Sequence, residues 1–180
     1  MSLEKLSAEL NKHQKSLPPV ESWNPSDCGD IDIEIKRNGD WYHEGSAFKR
    51  MPLVKLLSSV LIREQTQDTD DYFLITPVEK MKIRVEDAPF VLTHWHWQDN
   101  EQVMVVETNV GDRFILNSEH PMECGDDGSL YIVVRRNLTA KVHRNVYYQW
   151  IDLATEQETA QGIELMFTSA GYQFSLGKIA

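Results

Sequence analysis

With 180 residues, 41% of them hydrophobic and five of them Trp, the chain has enough apolar material for one domain, or two small ones sharing a core. Its formal net charge of −10 argues against binding a nucleic-acid backbone, which clustered Lys and Arg drive, but is compatible with a small anion in a local basic pocket. No apolar run reaches bilayer length, Met1–Glu4 lacks the layout of a signal peptide, and Cys28 and Cys124 have no metal-type spacing, so a reduced, cytoplasmic protein without a membrane partner is expected.

In chain order, Leu3, Leu6 and Leu10 predict a short amphipathic helix that Pro18-Pro19 ends. Val20–Gly29 reads as an irregular arm pinned by Trp23. Ile31, Ile33 and Ile35 alternate with Asp32, Glu34 and Lys36, the period of a half-buried strand. Asn38-Gly39 is expected to supply two positive-φ turn positions, with Trp41-Tyr42 starting the return strand and Gly45-Ser46 ending it. From Arg50, Leu53, Val54, Leu56, Leu57, Val60 and Leu61 fall at helical spacing, with Pro52 in the first turn. Glu64–Asp71 reads as a solvated acidic loop, because the calcium-loop pattern is absent around Asp68, Asp70 and Asp71. Tyr72–Ile75 and Met81–Val85 are strands joined at Thr76-Pro77, and the boundary between halves is placed near Pro89.

The second half opens with a β-meander over Phe90–Trp97, Gln102–Thr108 and Arg113–Leu116. Asn117–Pro121 and Cys124–Ser129 are loops. From Tyr131 to Ala154 the order strand, Arg-Asn turn, strand, basic corner, helix matches the first half, and two β-rich runs, Ile163–Thr168 and Tyr172–Ser175, follow. Aligning Arg50 with Arg144 sets the two helices side by side, which predicts a duplication with these arginines at equivalent corners. Strands preceding one late helix are, by analogy, pleckstrin-homology-like. The expected fold is α+β, with a helix and arm over residues 1–30, an α+β half over 31–89 and a pleckstrin-homology-like half over 90–180.

The runs WNPSDCGDIDIEI, GDWYHEGSAFKR, LITPVEKMKIRVEDAPF, TNVGDRF, HPM and R-x-N-L-x-A-x-x-x-R, in this order, resemble the bacterial family catalogued as domain of unknown function 1285. The resemblance covers about Pro19 to Gly177. Ala47-Phe48 departs from the family's usual Pro-Ile, and the acidic loop is long. The resemblance implies a duplicated two-domain α+β architecture with a pleckstrin-homology-like C-terminal half. It also implies a cleft between the halves that holds a nucleotide-like ligand in signalling, and no reaction.

Among groups able to do chemistry, His94-Trp95-His96 puts two imidazoles on one strand face, with Glu101 nearby, as in the first metal motif of cupin barrels. The second cupin motif is missing and His120-Pro121 does not replace it, so no tight metal is expected. Neither cysteine has the partners of a nucleophile, and Gly125–Gly128 is not a phosphate loop.

The basic corners carry more. An Arg just before a helix opposes the dipole by roughly 0.3–1 kcal/mol, so a compensating partner is expected. That partner is an anionic ligand or a native carboxylate such as Glu44, Glu79 or Asp87. On the ligand reading, Arg50 and Arg144 bind the anion, helped by Arg37 and Arg136 at the turns. Thr76 and Asn109 add hydrogen bonds and Tyr148 a stacking face, although Thr and Asn beside turns ordinarily satisfy turn backbone. The sequence thus points to a non-catalytic protein, without cofactor, binding a small anionic, nucleotide-like ligand. The alternatives are a protein-interaction adaptor and a metal-dependent enzyme using His94, His96 and Glu101.

Overall fold

The computed structural model describes residues 17–160 and 162–179, so the helix expected at Leu3–Leu10 lies outside the described residues. The chain divides into two compact units, one ending at Asp87 and the other starting at Ala88. It is mostly β-sheet, with two α-helices among the described residues. No helix among them is long and apolar enough to cross a membrane.

In the first unit a 3₁₀ turn at Val20–Ser22 leads into β1 (Asp27–Ile35), which starts inside the expected arm because Asp27–Asp30 pair in parallel with Glu79–Lys82. β2 (Trp41–His43) and β3 (Ser46–Ala47) complete a meander. Helix α1 (Met51–Ser59) follows, then β4 (Leu61–Gln65), β5 (Asp70–Ile75) and β6 (Glu79–Val85). The six strands form one sheet in the order β3-β2-β1-β6-β5-β4. Period-two alternation sorts its faces. Ile33, Ile35, Trp41, Tyr72, Leu74, Met81 and Ile83 are buried, as are Val54 and Leu57 of α1. The other face carries ion pairs between strands: Arg84–Asp32 at 2.6 Å, Lys82–Asp71 at 2.7 Å and Lys80–Glu64 at 2.5 Å. Such exposed pairs add little stability, so the buried face holds the sheet together.

Two local expectations are corrected. Only Gly39 of Asn38-Gly39 has positive φ (85°), and the Lys36 and Asp40 backbones close a three-residue loop around it. The paired positive-φ turn lies instead at Glu44-Gly45 (48° and 75°), between β2 and β3. The acidic loop shrinks to a turn at Thr66–Thr69, because Asp70 and Asp71 are strand residues. The forked Arg63 guanidinium grips Asp70 at 2.6 and 2.5 Å and holds its carboxyl below the usual carboxylate range.

Tyr72 yields a prediction. Burial pushes its hydroxyl up to about 12 from 10.0, against the pull of Arg63 5.6 Å from the ring. The folded state therefore keeps a proton that the unfolded chain releases at lower pH. Stability is unaffected below pH 10 and falls as pH rises towards 12, by about 2–3 kcal/mol in all. Urea midpoints taken between pH 9 and 11 should fall less steeply in Tyr72→Phe than in the parent.

The second unit contains β7 (Phe90–Gln98), β8 (Val103–Thr108), β9 (Arg113–Ile115), β10 (Met122–Cys124), β11 (Leu130–Arg135) and β12 (Leu138–Val142). They are followed by α2 (Arg144–Leu153) and a separate antiparallel sheet of β13 (Thr155–Thr159), β14 (Gly162–Ser169) and β15 (Tyr172–Lys178). The helix packs on β7 and β14, burying Val146 and Trp150, and its Gln149 accepts a 2.6 Å hydrogen bond from the Trp95 indole. Ser169, at the end of β14, is fully buried: its hydroxyl donates to Leu116 O (2.6 Å) and accepts from Met104 N–H (2.9 Å).

The six-strand sheet of this unit runs β9-β8-β7-β12-β11-β10, the same order as the first. In both, two three-strand meanders join through a parallel pair of the first and sixth strands, β1 with β6 and β7 with β12. The duplication is therefore real, and it can be traced in two ways. Helix α1 lies between the third and fourth strands of its sheet, and α2 follows the sixth strand of the other. The expected unit recurs as well: an antiparallel three-strand meander, a helix and a second such meander run from β1 to β6 around α1 and from β10 to β15 around α2, with Arg50 and Arg144 at the two helix starts.

Candidate functional site

In the first unit, Arg50 is the N-cap of α1 and gives the helix no side-chain cap; no acidic residue lies in the first turn. Arg50, Lys49 before it and Lys55 after it are all exposed. None of the three has an ion pair among the described residues, whereas Lys36, Arg63, Lys80, Lys82 and Arg84 of the same unit are all paired with carboxylates. Met51, beside Arg50, is 48% exposed. Arg37 sits in the β1–β2 turn with its guanidinium 3.9 Å from Asp87, and its backbone N–H donates to Glu86 at 2.9 Å. Lys36 donates to the same Glu86 at 2.9 Å. That bond first, and the Arg37 N–H second, hold the Glu86 carboxyl below its ordinary range.

In the second unit His143 caps α2, its Nδ1 accepting from Asn145 N–H at 3.2 Å. Arg144 opens the helix, exposed and without an ion pair among the described residues. Tyr148 follows one turn later, 56% exposed, its ring 5.9 Å from that of Tyr147. Arg136 lies in the β11–β12 turn with φ of 54°. Among the described residues, neither helix-start arginine is paired with the native carboxylate that one reading of the sequence called for.

Thr76 and Asn109 have other duties. Thr76 is fully buried, its hydroxyl accepting from Val78 and Glu79 N–H at 3.3 and 3.0 Å. Asn109 pairs with Val91, its side-chain oxygen accepting from Val91 N–H at 2.9 Å and its own N–H donating to Val91 O at 2.8 Å. Both serve the backbone, as Thr and Asn beside turns commonly do. The cationic and aromatic groups left open by these contacts include Arg50 in one unit, and Arg144 and Tyr148 in the other.

His94 and His96 share the outer face of β7, but Glu101 sits in a run of left-handed turn residues, Asp99 to Glu101. The acidic residue across from His94 is Glu107, whose carboxylate is held by Arg113 at 2.6 Å. Among the described residues no three His, Cys, Asp or Glu side chains are placed to hold a metal. The sequence reading gave Glu107 and Arg113 no role, although Arg113 lies in the run TNVGDRF, because only strand register brings the two together.

A duplicated six-strand sheet, carried by two units of mixed α and β structure, defines a two-domain duplicated protein. The chain matches the family model described as "Domain of unknown function (DUF1285), N-terminal domain" over residues 18–88. It matches "Protein of unknown function (DUF1285), C-terminal domain" over residues 89–176. It belongs to the DUF1285 family. A DUF1285 family protein from Silicibacter pomeroyi DSS-3 is similar in structure, with a TM-score of 0.80 and 34% identity, over 97% of this chain and 95% of that one. One from Shewanella baltica OS155 has a TM-score of 0.53 and 31% identity, over 67% of this chain and 90% of that one. The search of curated proteins found no match.

Proposed function

We propose that this protein binds a small anionic, nucleotide-like ligand without catalysing a reaction, as a sensor in signalling. One observation carries the reading: in a chain of net charge −10, the arginines that begin both helices are exposed and lack carboxylate partners among the described residues. A cation at a helix N-terminus opposes the dipole, and a bound phosphate or carboxylate removes that conflict while accepting the free N–H groups. Tyr148, one turn from Arg144, offers a flat face for a ring.

The test is calorimetry against nucleotides and other phosphorylated metabolites, with Arg50→Gln and Arg144→Gln made singly. Both side chains are exposed, so each substitution should change stability by less than about 0.5 kcal/mol. Loss of binding in one variant assigns the ligand to that unit. No binding by the parent, or affinities unchanged in both variants, would refute the reading.

A protein-interaction adaptor is the second reading. The observation favouring it is the order of the second unit, six strands and then α2, which supports a pleckstrin-homology-like sheet or groove for a partner.

A further inference from the structure

On the outer face of the second unit's large sheet, strand register sets two rows side by side. His94, Glu107 and Arg113 lie across β7, β8 and β9 in one row, and His96, Val105 and Ile115 in the next. They border a cleft of about 300 Å³ lined by His94, His96, Val105, Val106, Glu107 and Arg113.

The hydrogen bonds leave three donors open toward a ligand. Arg113 gives its Nε–H to Glu107 at 2.6 Å, which fixes the guanidinium plane, and its terminal NH₂ groups have no partner among the described residues. The Thr93 hydroxyl donates to Glu107 O, so His94 Nδ1–H donates to Thr93 Oγ1 at 2.9 Å, and Nε2 becomes a donor when the ring is protonated. His96 has no hydrogen-bond partner among the described residues. Charge decides which sign of ligand fits. A divalent cation would meet Arg113 and find its one carboxylate, Glu107, already engaged. An anion meets the terminal NH₂ groups of Arg113 and two imidazoles that donate when protonated, beside a Glu107 carboxylate already paired with Arg113.

The other large cleft, about 400 Å³ at the register shift between β1 and β6, is a useful contrast. Its cations, Lys82 and Arg84, are tied to Asp71 and Asp32 at 2.7 and 2.6 Å, and no imidazole lines it.

We propose that the His94–His96–Arg113 cleft is an anion site for the phosphoryl group of a small phosphate monoester. Arg113 donates through its terminal NH₂ groups and the two imidazoles through Nε2–H, while Val105 and the 43%-exposed Ile115 flank the ester's apolar body. This site is independent of the arginines at the helix starts.

The test is titration of the full chain with phenyl phosphate at low salt, followed by NMR of the histidine imidazoles. The signals of His94 and His96 should shift and saturate in the range of ~1 mM, with those of His120 and His143 unmoved. Arg113→Gln should weaken binding about tenfold or more, the loss of a charge-assisted pair. His96→Gln, at an exposed position, should weaken it without disturbing the fold and so guards against an uninformative first variant. Arg50→Gln and Arg144→Gln should leave it unchanged. Absence of a saturable shift, or binding that survives both Arg113→Gln and His96→Gln, would overturn the proposal. Binding abolished by Arg50→Gln or Arg144→Gln alone would overturn it too, while leaving the proposal for the helix starts intact.

Discussion

Trp150→Ala is expected to destabilise the C-terminal unit by about 3–5 kcal/mol, the range for truncating a large aromatic in a core. Trp150 is fully buried, its ring 5.2 Å from Phe167, which stacks on Phe174 at 5.4 Å. In a close-packed core, the volume it leaves is refilled only in part. The indole N–H is itself buried without a hydrogen-bond partner. Trp150→Phe discards that donor along with part of the ring, so it should cost less than about 1.5 kcal/mol. Urea denaturation followed by circular dichroism would read both values. A loss of under 1 kcal/mol in Trp150→Ala would show that the helix does not anchor the small sheet.

Ser169→Ala is the second large effect, expected at about 2–4 kcal/mol from the removal of one oxygen. The hydroxyl bridges Met104 N–H on β8 and the carbonyl of Leu116 just after β9, at 0% exposure. Its loss leaves a buried donor and a buried acceptor unsatisfied, at about 1–3 kcal/mol each. Ser169→Thr keeps the oxygen and tests whether hydrogen bonding or volume matters. Hydrogen exchange should speed at Met104 in the Ala variant ahead of global unfolding. Protection unchanged at that amide would refute the account.

How much of this was legible in the sequence depended on where each strand lies in its sheet. Ile31–Ile35, Tyr72–Ile75 and Phe90–Trp97 sit away from the sheet edges and alternate or run apolar, and their strands were found. LIREQ of β4 and TEQET of β13 are edge strands: Leu61, fully buried, read as the end of the helical pattern and Glu64-Gln65 as the start of the acidic loop, while TEQET has no apolar residue to mark it. With those two strands restored, each helix is followed by three antiparallel strands instead of two, so the repeat around the helices grows longer. The common strand order of the two large sheets was not legible, because it rests on a parallel pairing of strands distant in sequence. The arginines at the helix starts were visible because basic residues there are unfavourable. The Arg113–Glu107 pair was not, since those residues are six positions apart across a turn and only the β8–β9 register joins them.

The parallel seam has a consequence for how the chain is made. In each large sheet the strand synthesised first pairs with the strand synthesised sixth, so Asp27 meets Glu79 and Phe90 meets Ala140. A nascent chain that has emerged only as far as Ile75 holds one side of the seam and waits for the other, with the apolar residues of β1 lacking their central neighbour. Non-local closure of this kind slows folding and prolongs exposure of unpaired strand edges. The first unit becomes a finished sheet only when β6 leaves the ribosome, and the second only when β12 does. Each unit is therefore vulnerable to proteolysis and aggregation until synthesis has gone far enough beyond Val85, or beyond Val142, for that strand to leave the ribosome.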